Sequence, residues 1–125
     1  AYEKMFSEPK SRGVLIDFHS CGCIQNVVSD LSAVGVDILN PLQKKANDQQ
    51  YIKKTITGKM AVLGGIDSTV ILTGTPKDVR QEVKRAFDIL KPDGGWIAGV
   101  DQVIVGAPQE NVKVLWGTCW ELCEY

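Results

Sequence analysis

Residues 13–25 read GVLIDFHSCGCIQ, and the fold turns on how this stretch is interpreted. Val14, Leu15 and Ile16 form a short apolar run with Phe18 one step beyond, and the run ends abruptly in His19, Ser20, Cys21, Gly22 and Cys23. A buried strand that breaks into a His-x-Cys turn carries two soft metal ligands at its C-terminal end, where the chemistry of α/β proteins is usually built. His19 is the only histidine of the chain.

Working outward, Ile24, Val27, Val28, Leu31 and Val34 follow at helical spacing, which predicts an amphipathic helix over 24–34 closed by Gly35. Upstream, 1–6 reads as the last turn of a helix and 7–13 as a polar connector broken by Pro9 and Gly13. Downstream, a strand over 36–39 is stopped by Asn40-Pro41. A short helix follows, capped by Asn47 with Gln50 three residues on and ended by Gly58. A third strand over 60–63 is broken by Gly64-Gly65, and 71–74 reads as a loop. Thr75-Pro76-Lys77-Asp78 is a helix start, with a capping hydroxyl, proline at the first helical position and an acid in the first turn. Val79, Val83, Ala86, Phe87 and Leu90 mark its buried side. A fourth strand covers 96–98, Val103-Ile104-Val105 is a second apolar stretch, and the last helix opens at Pro108.

The order is β-α-β-α-β-α-β-α, which predicts a parallel sheet with right-handed crossovers. Strands this apolar fit a sheet buried on both faces. An open doubly wound sheet and half of a (βα)8 barrel both satisfy the pattern. No G-x-G-x-x-G follows a strand, so dinucleotide binding has no support.

Composition narrows the function classes. A length of 125 residues suits about one domain. The formal net charge of −1 offers no basic field for nucleic acid or an anionic membrane. No apolar run approaches the roughly 18 residues of a membrane span. No signal peptide is visible at Ala1-Tyr2-Glu3-Lys4. The chain starts without Met, so either its start is trimmed or it is a piece of something longer. Cys21 and Cys23 are too close for an easy mutual bridge, and Cys119 and Cys123 share one face of a helix. The four cysteines therefore read as reduced thiols of a cytoplasmic protein, the second pair as helix core. Trp96, Trp116 and Trp120 read as packing residues.

Every strand ends in residues able to do chemistry: His19 and Cys21, then Asn40 and Gln43, then Asp67, then Asp101. In a barrel these ends converge on one mouth. Each also has a plain structural account. Asn40-Pro41 is then a turn, Gly64-Gly65 a bulge, Asp67 a cap for the segment beginning at Ser68, and Asp101 a solvated acid. Zinc favours thiolate and imidazole donors, and its catalytic sites use about three protein ligands with one position open. Cys23 continues the alternation as a third candidate ligand or opens the helix as a small apolar residue.

HSCG at 19–22, GVDILNPLQ at 35–43, GGID at 64–67, GTPKDVRQEVKRAFDIL at 74–90, PDGGWI at 92–97 and APQENVKVLW at 107–116 together resemble the C-terminal half of the uroporphyrinogen decarboxylase-like family, in order along nearly the whole chain. The resemblance implies a (βα)8-barrel superfamily and makes 1–125 a single partial domain, four βα units forming a C-terminal half-barrel. One branch of the family decarboxylates the acetate arms of a tetrapyrrole without a cofactor. The other moves a methyl group between a corrinoid and a thiol, using zinc held by a His-x-Cys pair and a later Cys. HSCG, GGID in place of a GNLDP-like element, and the lack of a GHG element make the cobalamin-dependent methyltransferase branch closer.

On that branch His19, Cys21 and Cys23 are the expected metal ligands, Asp67 and Asp101 the catalytic residues, and Asn40, Gln43 and Gly65 the substrate contacts. The family's later zinc Cys is expected near Gly94 or Gly95, where this chain has glycine, which leaves Cys23 or Asp101 as the third donor. The expected cofactors are zinc and a corrinoid on a partner protein, and the expected small molecule is a thiol or a tetrapyrrole. Decarboxylation of a porphyrinogen-like polycarboxylate by a carboxy-lyase is the alternative, with Arg12, Lys44 and Lys45 as the nearby cations. A non-catalytic half-barrel binding module is a third reading. A family barrel needs roughly 250 residues, so four units alone leave two open sheet edges and a bare inner face. The missing half is expected on the N-terminal side, since the ending resembles the family's C-terminus. An N-terminal half-barrel or a second copy would close the barrel, and the chain alone is expected to be a weak or inactive enzyme.

Overall fold

The computed structural model describes residues 1–124. Helix α1 (Tyr2–Ser11) leads into strand β1 (Asp17–His19), and α2 (Val28–Ala33) into β2 (Ile38–Leu42). Helix α3 (Gln49–Ile56) precedes β3 (Ala61–Ile66), α4 (Ser68–Thr73) and α5 (Pro76–Leu90) precede β4 (Trp96–Val100), and α6 (Gln109–Leu122) follows. The strands form one parallel sheet in the order β1-β2-β3-β4. Sequential order resolves the two architectures left open by the sequence. A doubly wound sheet reverses direction at a switch point, whereas this sheet adds each strand to the same side, as half of a (βα)8 barrel does.

Burial alternates along the strands and separates the two faces. Leu39 and Val62 are fully buried among Val28, Leu31, Ile52, Ile56 and Leu90. Ile66, with Ala98 and Val100 beside it, packs on Val79, Val83, Phe87 and Leu115. The alternate positions, Asp17, His19, Ile38, Asn40, Leu63 and Ile97, stay outside both clusters. Ile97 remains 42% exposed. The expectation of a sheet buried on both faces therefore fails for this chain: the helices cover one face only.

Several element boundaries differ from the sequence reading, each for a physical reason. Helix α1 runs through Pro9 to Ser11 instead of ending near Phe6. Phe6 is buried, with Tyr2 stacked on it and Phe18 edge-on to it. Lys10 reaches across to the Asp37 carboxylate at 2.7 Å and the Gly35 carbonyl at 3.1 Å, so tertiary ties carry the helix past its proline. Strand β1 starts at Asp17, leaving Val14 and Leu15 exposed. Helix α2 begins at Val28, not at residue 24.

Asn40-Pro41 does not stop β2. The strand continues to Leu42, and the missing proline donor shows as a register shift against β3 between Leu39 and Leu42. Gly64 and Gly65 likewise stay in β3, paired with Ala98 and Gly99. The cap of α3 is Asp48, whose carboxylate accepts from the Gln50 and Tyr51 N–H groups, not Asn47. The segment 71–74 closes helix α4, which Asp67 caps through the Thr69 N–H. Val103 and Val105 form no strand and are exposed. The α5 start is as expected, with Thr75 and Asp78 in a reciprocal capping box.

Candidate functional site

The C-terminal ends of the four strands bring most of the sequence candidates to one rim. His19 pairs in register with Asn40, and the Asn40 carbonyl accepts the Ser20 N–H at 2.8 Å. This carries the β1 ladder one step past His19 and fixes where the Cys21 turn begins. The Cys21 Sγ stands 3.5 Å from His19 Nε2. In a tetrahedral site with Zn–S of about 2.3 Å and Zn–N of about 2.0–2.1 Å, sulfur and nitrogen ligands sit about 3.5 Å apart. The pair therefore fits one edge of such a site.

Cys23 does not join them. Among the described residues no three His, Cys, Asp or Glu side chains come close enough to hold one metal ion. Gly22 lies between the two cysteines at φ +87°, a left-handed conformation that L side chains rarely adopt, and it turns the chain away. Gly94 and Gly95, the expected place of a later cysteine ligand, precede β4 and lie at the opposite end of the sheet. The rim position on β4 belongs to Val100 and Asp101.

Two buried side chains from the β2–α3 connection hold the Cys21–Gly22–Cys23 turn. The Gln43 Oε1 accepts the Gly22 N–H at 2.5 Å. Asn47 Nδ2 donates to the carbonyls of Gly22 (2.9 Å) and Gln43 (3.0 Å), while its Oδ1 accepts from the N–H groups of Ile24 (2.8 Å) and Gln25 (3.2 Å). The carboxamide of Asn47 thus spends all its ordinary hydrogen-bonding capacity on this corner.

Beside the turn lies a cleft of about 270 Å³, lined by Gln43, Lys45, Asp67, Ser68, Thr69 and Asp101 among others. Asp101 is only 4% exposed, not solvated. Its Oδ1 accepts from the Ser68 N–H (3.0 Å) and hydroxyl (2.8 Å), and its Oδ2 from the Lys44 N–H (3.2 Å). It ties three strand-end loops together. Asp67 faces the Lys45 ammonium at 3.8 Å while capping α4.

Gly65, expected as a substrate contact, stands at a tightly packed point of the fold. A Cβ there would overlap the Leu90 side chain, and its φ is +91°. Its carbonyl accepts from Gln49 (2.8 Å) and Arg85 (3.0 Å). It is the close approach between β3 and the helix layer.

Beneath the rim the sequence reading missed a buried charge cluster. The Glu82 side chain is 5% exposed and accepts from Lys44 Nζ (2.7 Å), the Asp67 N–H (2.9 Å) and Arg85. Burial pushes its carboxyl up, but the hydrogen bonds from Arg85, Lys44 and Asp67 outweigh this and hold it below the usual glutamate value. The signal available in the sequence was Glu82 and Arg85 three residues apart on the α5 face that also carries Val79, Val83 and Ala86.

Of the cations considered for a polycarboxylate substrate, Arg12 pairs with Glu8 after α1, at the far end of β1, and Lys44 is engaged by Glu82. Lys45 alone lines the cleft, with its Nζ donating to the Thr69 hydroxyl at 2.7 Å. The remaining cysteine and tryptophan expectations divide. Cys119 is buried in the helix core and Cys123 is exposed. Trp96 packs edge-on against Phe87 at 4.8 Å, while Trp116 and Trp120 are exposed.

Residues 1–122 match the family model described as uroporphyrinogen decarboxylase (URO-D). No curated protein matches the chain. Among solved structures, a methyltransferase from Methanosarcina mazei superposes with a TM-score of 0.72 at 22% sequence identity. The superposition covers 98% of this chain and 35% of that one. At that identity the likeness speaks for the shared fold, and the chain spans about a third of its neighbour's length.

Proposed function

The chain belongs to the uroporphyrinogen decarboxylase family, and from that premise we propose that it is the C-terminal portion of a member that transfers a methyl group from a corrinoid on a partner protein to a small-molecule thiol at a zinc site. The observation that carries this reading is the 3.5 Å separation of His19 Nε2 and Cys21 Sγ, which suits two ligands of one tetrahedral ion. Zinc bound there would supply Lewis acidity, lowering the pKa of an acceptor thiol so that it is a thiolate at neutral pH.

The chain's own residues do the rest. His19 and Cys21 would hold the ion from the β1 end. Lys45, Thr69 and Ser68 offer polar contacts in the cleft, and Asp101 keeps the surrounding loops in place. Among the described residues only these two donors come together, so any further donor would have to be the acceptor thiol, water or a group outside this chain. The bare face carrying Asp17, His19, Ile38, Leu63 and Ile97 is read as the barrel interior, which an N-terminal half-barrel or a second copy would close.

A porphyrinogen-like polycarboxylate would meet only Lys45 in the cleft, so decarboxylation has less support. Zinc analysis of the purified chain tests the proposal. Near-stoichiometric zinc that is lost in Cys21→Ser supports it. A metal-free chain that binds a porphyrin tightly overturns it in favour of decarboxylation. Binding of neither overturns it in favour of a non-catalytic module.

A further inference from the structure

We propose that the cleft beside the turn binds the zwitterionic head of a small α-amino acid, with Asp67 taking its ammonium group and Lys45 and Gln43 its carboxylate. The site rests on the reading above only in that the cleft receives the small molecule, and it needs no ion. Two polar atoms of the cleft wall are left unused. The Asp67 carboxylate engages the Thr69 N–H and faces Lys45 through Oδ1, and among the described residues its Oδ2 accepts no hydrogen bond. Gln43 accepts the Gly22 N–H through Oε1, which identifies the other amide atom as Nε2, and Nε2 donates to no group. Every fully buried side-chain polar atom of the described residues has a partner. These two atoms therefore keep contact with solvent, although Gln43 is only 9% and Asp67 only 6% exposed. Both residues line the cleft, so that contact is made inside it.

Charge and size select the ligand. Lys45 Nζ stands 3.8 Å from Asp67 Oδ1, too far for a hydrogen bond, and its short bond goes to the Thr69 hydroxyl. The ammonium's other N–H donors remain unused. The wall thus offers an ammonium and a carboxylate side by side and unjoined. An α-amino acid carries the opposite charges on the two substituents of one carbon. Its carboxylate meets Lys45 and Gln43 Nε2 while its ammonium meets Asp67 Oδ2, in charge-assisted hydrogen bonds. Asp101 has both oxygens taken by Ser68 and Lys44, so it adds negative charge to the wall but no ready acceptor. A plain anion therefore meets two carboxylates for one ammonium, and a plain cation leaves Lys45 and Gln43 unanswered. Ala46, Leu72 and Val103 line the same cleft and offer apolar surface to the amino acid's side chain. At about 270 Å³ the cleft falls below the roughly 300–1,000 Å³ of pockets for drug-sized ligands, which suits a molecule this small.

The experiment is a ¹H–¹⁵N NMR titration of the purified 125-residue chain with a chelator present, so that no metal takes part. The probes are S-methyl-L-cysteine, which has no free thiol to form mixed disulfides, 3-(methylthio)propionate, which lacks its ammonium, and 2-(methylthio)ethylamine, which lacks its carboxylate. The expected result is a saturable shift with S-methyl-L-cysteine that includes the Gln43 side-chain amide, and binding of each truncated probe about ten- to a hundredfold weaker. Lys45→Met is expected to weaken the amino acid by a similar factor without weakening the amine. Asp67→Asn is expected to weaken the amino acid without weakening the propionate, and it keeps a side-chain oxygen to cap α4. If Asp67→Asn unfolds, as read by circular dichroism, Lys45→Met carries the test, because that side chain is largely exposed. No saturable shift with the amino acid, propionate bound as tightly as the amino acid, or variants that weaken all three probes equally overturn the proposal. Zinc bound by a chain that takes no amino acid overturns this site and leaves the metal reading intact, whereas amino-acid binding by a chain that holds no zinc supports this site while the metal reading fails.

Discussion

Arg85 grips Glu82 with two parallel hydrogen bonds, from Nε at 2.8 Å and from Nη2 at 2.7 Å, in the layer directly beneath the strand-end rim. The same carboxylate accepts from Lys44 and from the backbone of Asp67, so one acid on α5 is joined to the loops after β2 and β3. Charge therefore helps to hold the rim from below, beside the apolar packing of Ile66 and Val100. Breaking a buried pair strands the partner charges. Glu82→Gln should destabilise the chain by about 2 to 3 kcal/mol at neutral pH, below the usual cost because Lys44 and Arg85 keep some contact with water. Urea unfolding measures it.

The same carboxylate gives a signed pH dependence. Glu82 is held below its ordinary value of 4.5 in the folded chain. Asp37 is held below 3.8 by the Lys10 hydrogen bond and the Ile16 N–H. Between the folded and unfolded values the unfolded chain binds more protons, so stability rises with pH in that window. The contribution is complete above the unfolded values and is lost as pH falls through the folded ones. Unfolding free energy followed from pH 7 downward should fall below about pH 4.5, and this acid limb should be shallower in Glu82→Gln. An unchanged slope would remove Glu82 from the account.

Gly65 separates a packing role from a substrate role. An added Cβ would meet Leu90, and φ +91° is strained for any L side chain. Gly65→Ala should cost about 2 to 3 kcal/mol in unfolding free energy. Its zinc content per folded chain should match the parent's. A stable variant with altered ligand binding would return Gly65 to the substrate contacts.

Thiol counting under native conditions is a direct check on the cysteines. Burial, helped by the neighbouring Cys123, pushes the Cys119 thiol up to about 11. Cys21, Cys23 and Cys123 are exposed. Alkylation of the metal-free chain near neutral pH should label these three quickly and Cys119 only after denaturant is added, as read by mass spectrometry of peptides. Fast labelling of Cys119 would contradict the packing of α6 on α5.

Much of the fold was legible because the helix faces announce themselves. Val79, Val83, Ala86 and Leu90 recur at helical spacing, and Thr75-Pro76 marks the start that the structure shows. Strand ends were harder. Asn40-Pro41 and Gly64-Gly65 look like breaks, yet both remain in strands because neighbouring strands supply the pairing that local propensity withholds. The rim was legible as a set of polar residues, and His19 and Cys21 stand 3.5 Å apart on it. Their supports were not legible. Glu82 and Asn47 matter through partners 38 and 25 residues away, and no local pattern reports such contacts. The left-handed turn at Gly22 that diverts Cys23 also depends on those distant clamps.

The central claim is that one imidazole and one thiolate of this chain bind the same ion. X-ray absorption at the zinc edge of the zinc-loaded chain tests it most directly. The account predicts one sulfur donor and one imidazole nitrogen donor from the protein, with the sulfur lost in Cys21→Ser and the imidazole lost in His19→Ala. A first shell of oxygen donors only, or a sulfur donor that persists in Cys21→Ser, would contradict it.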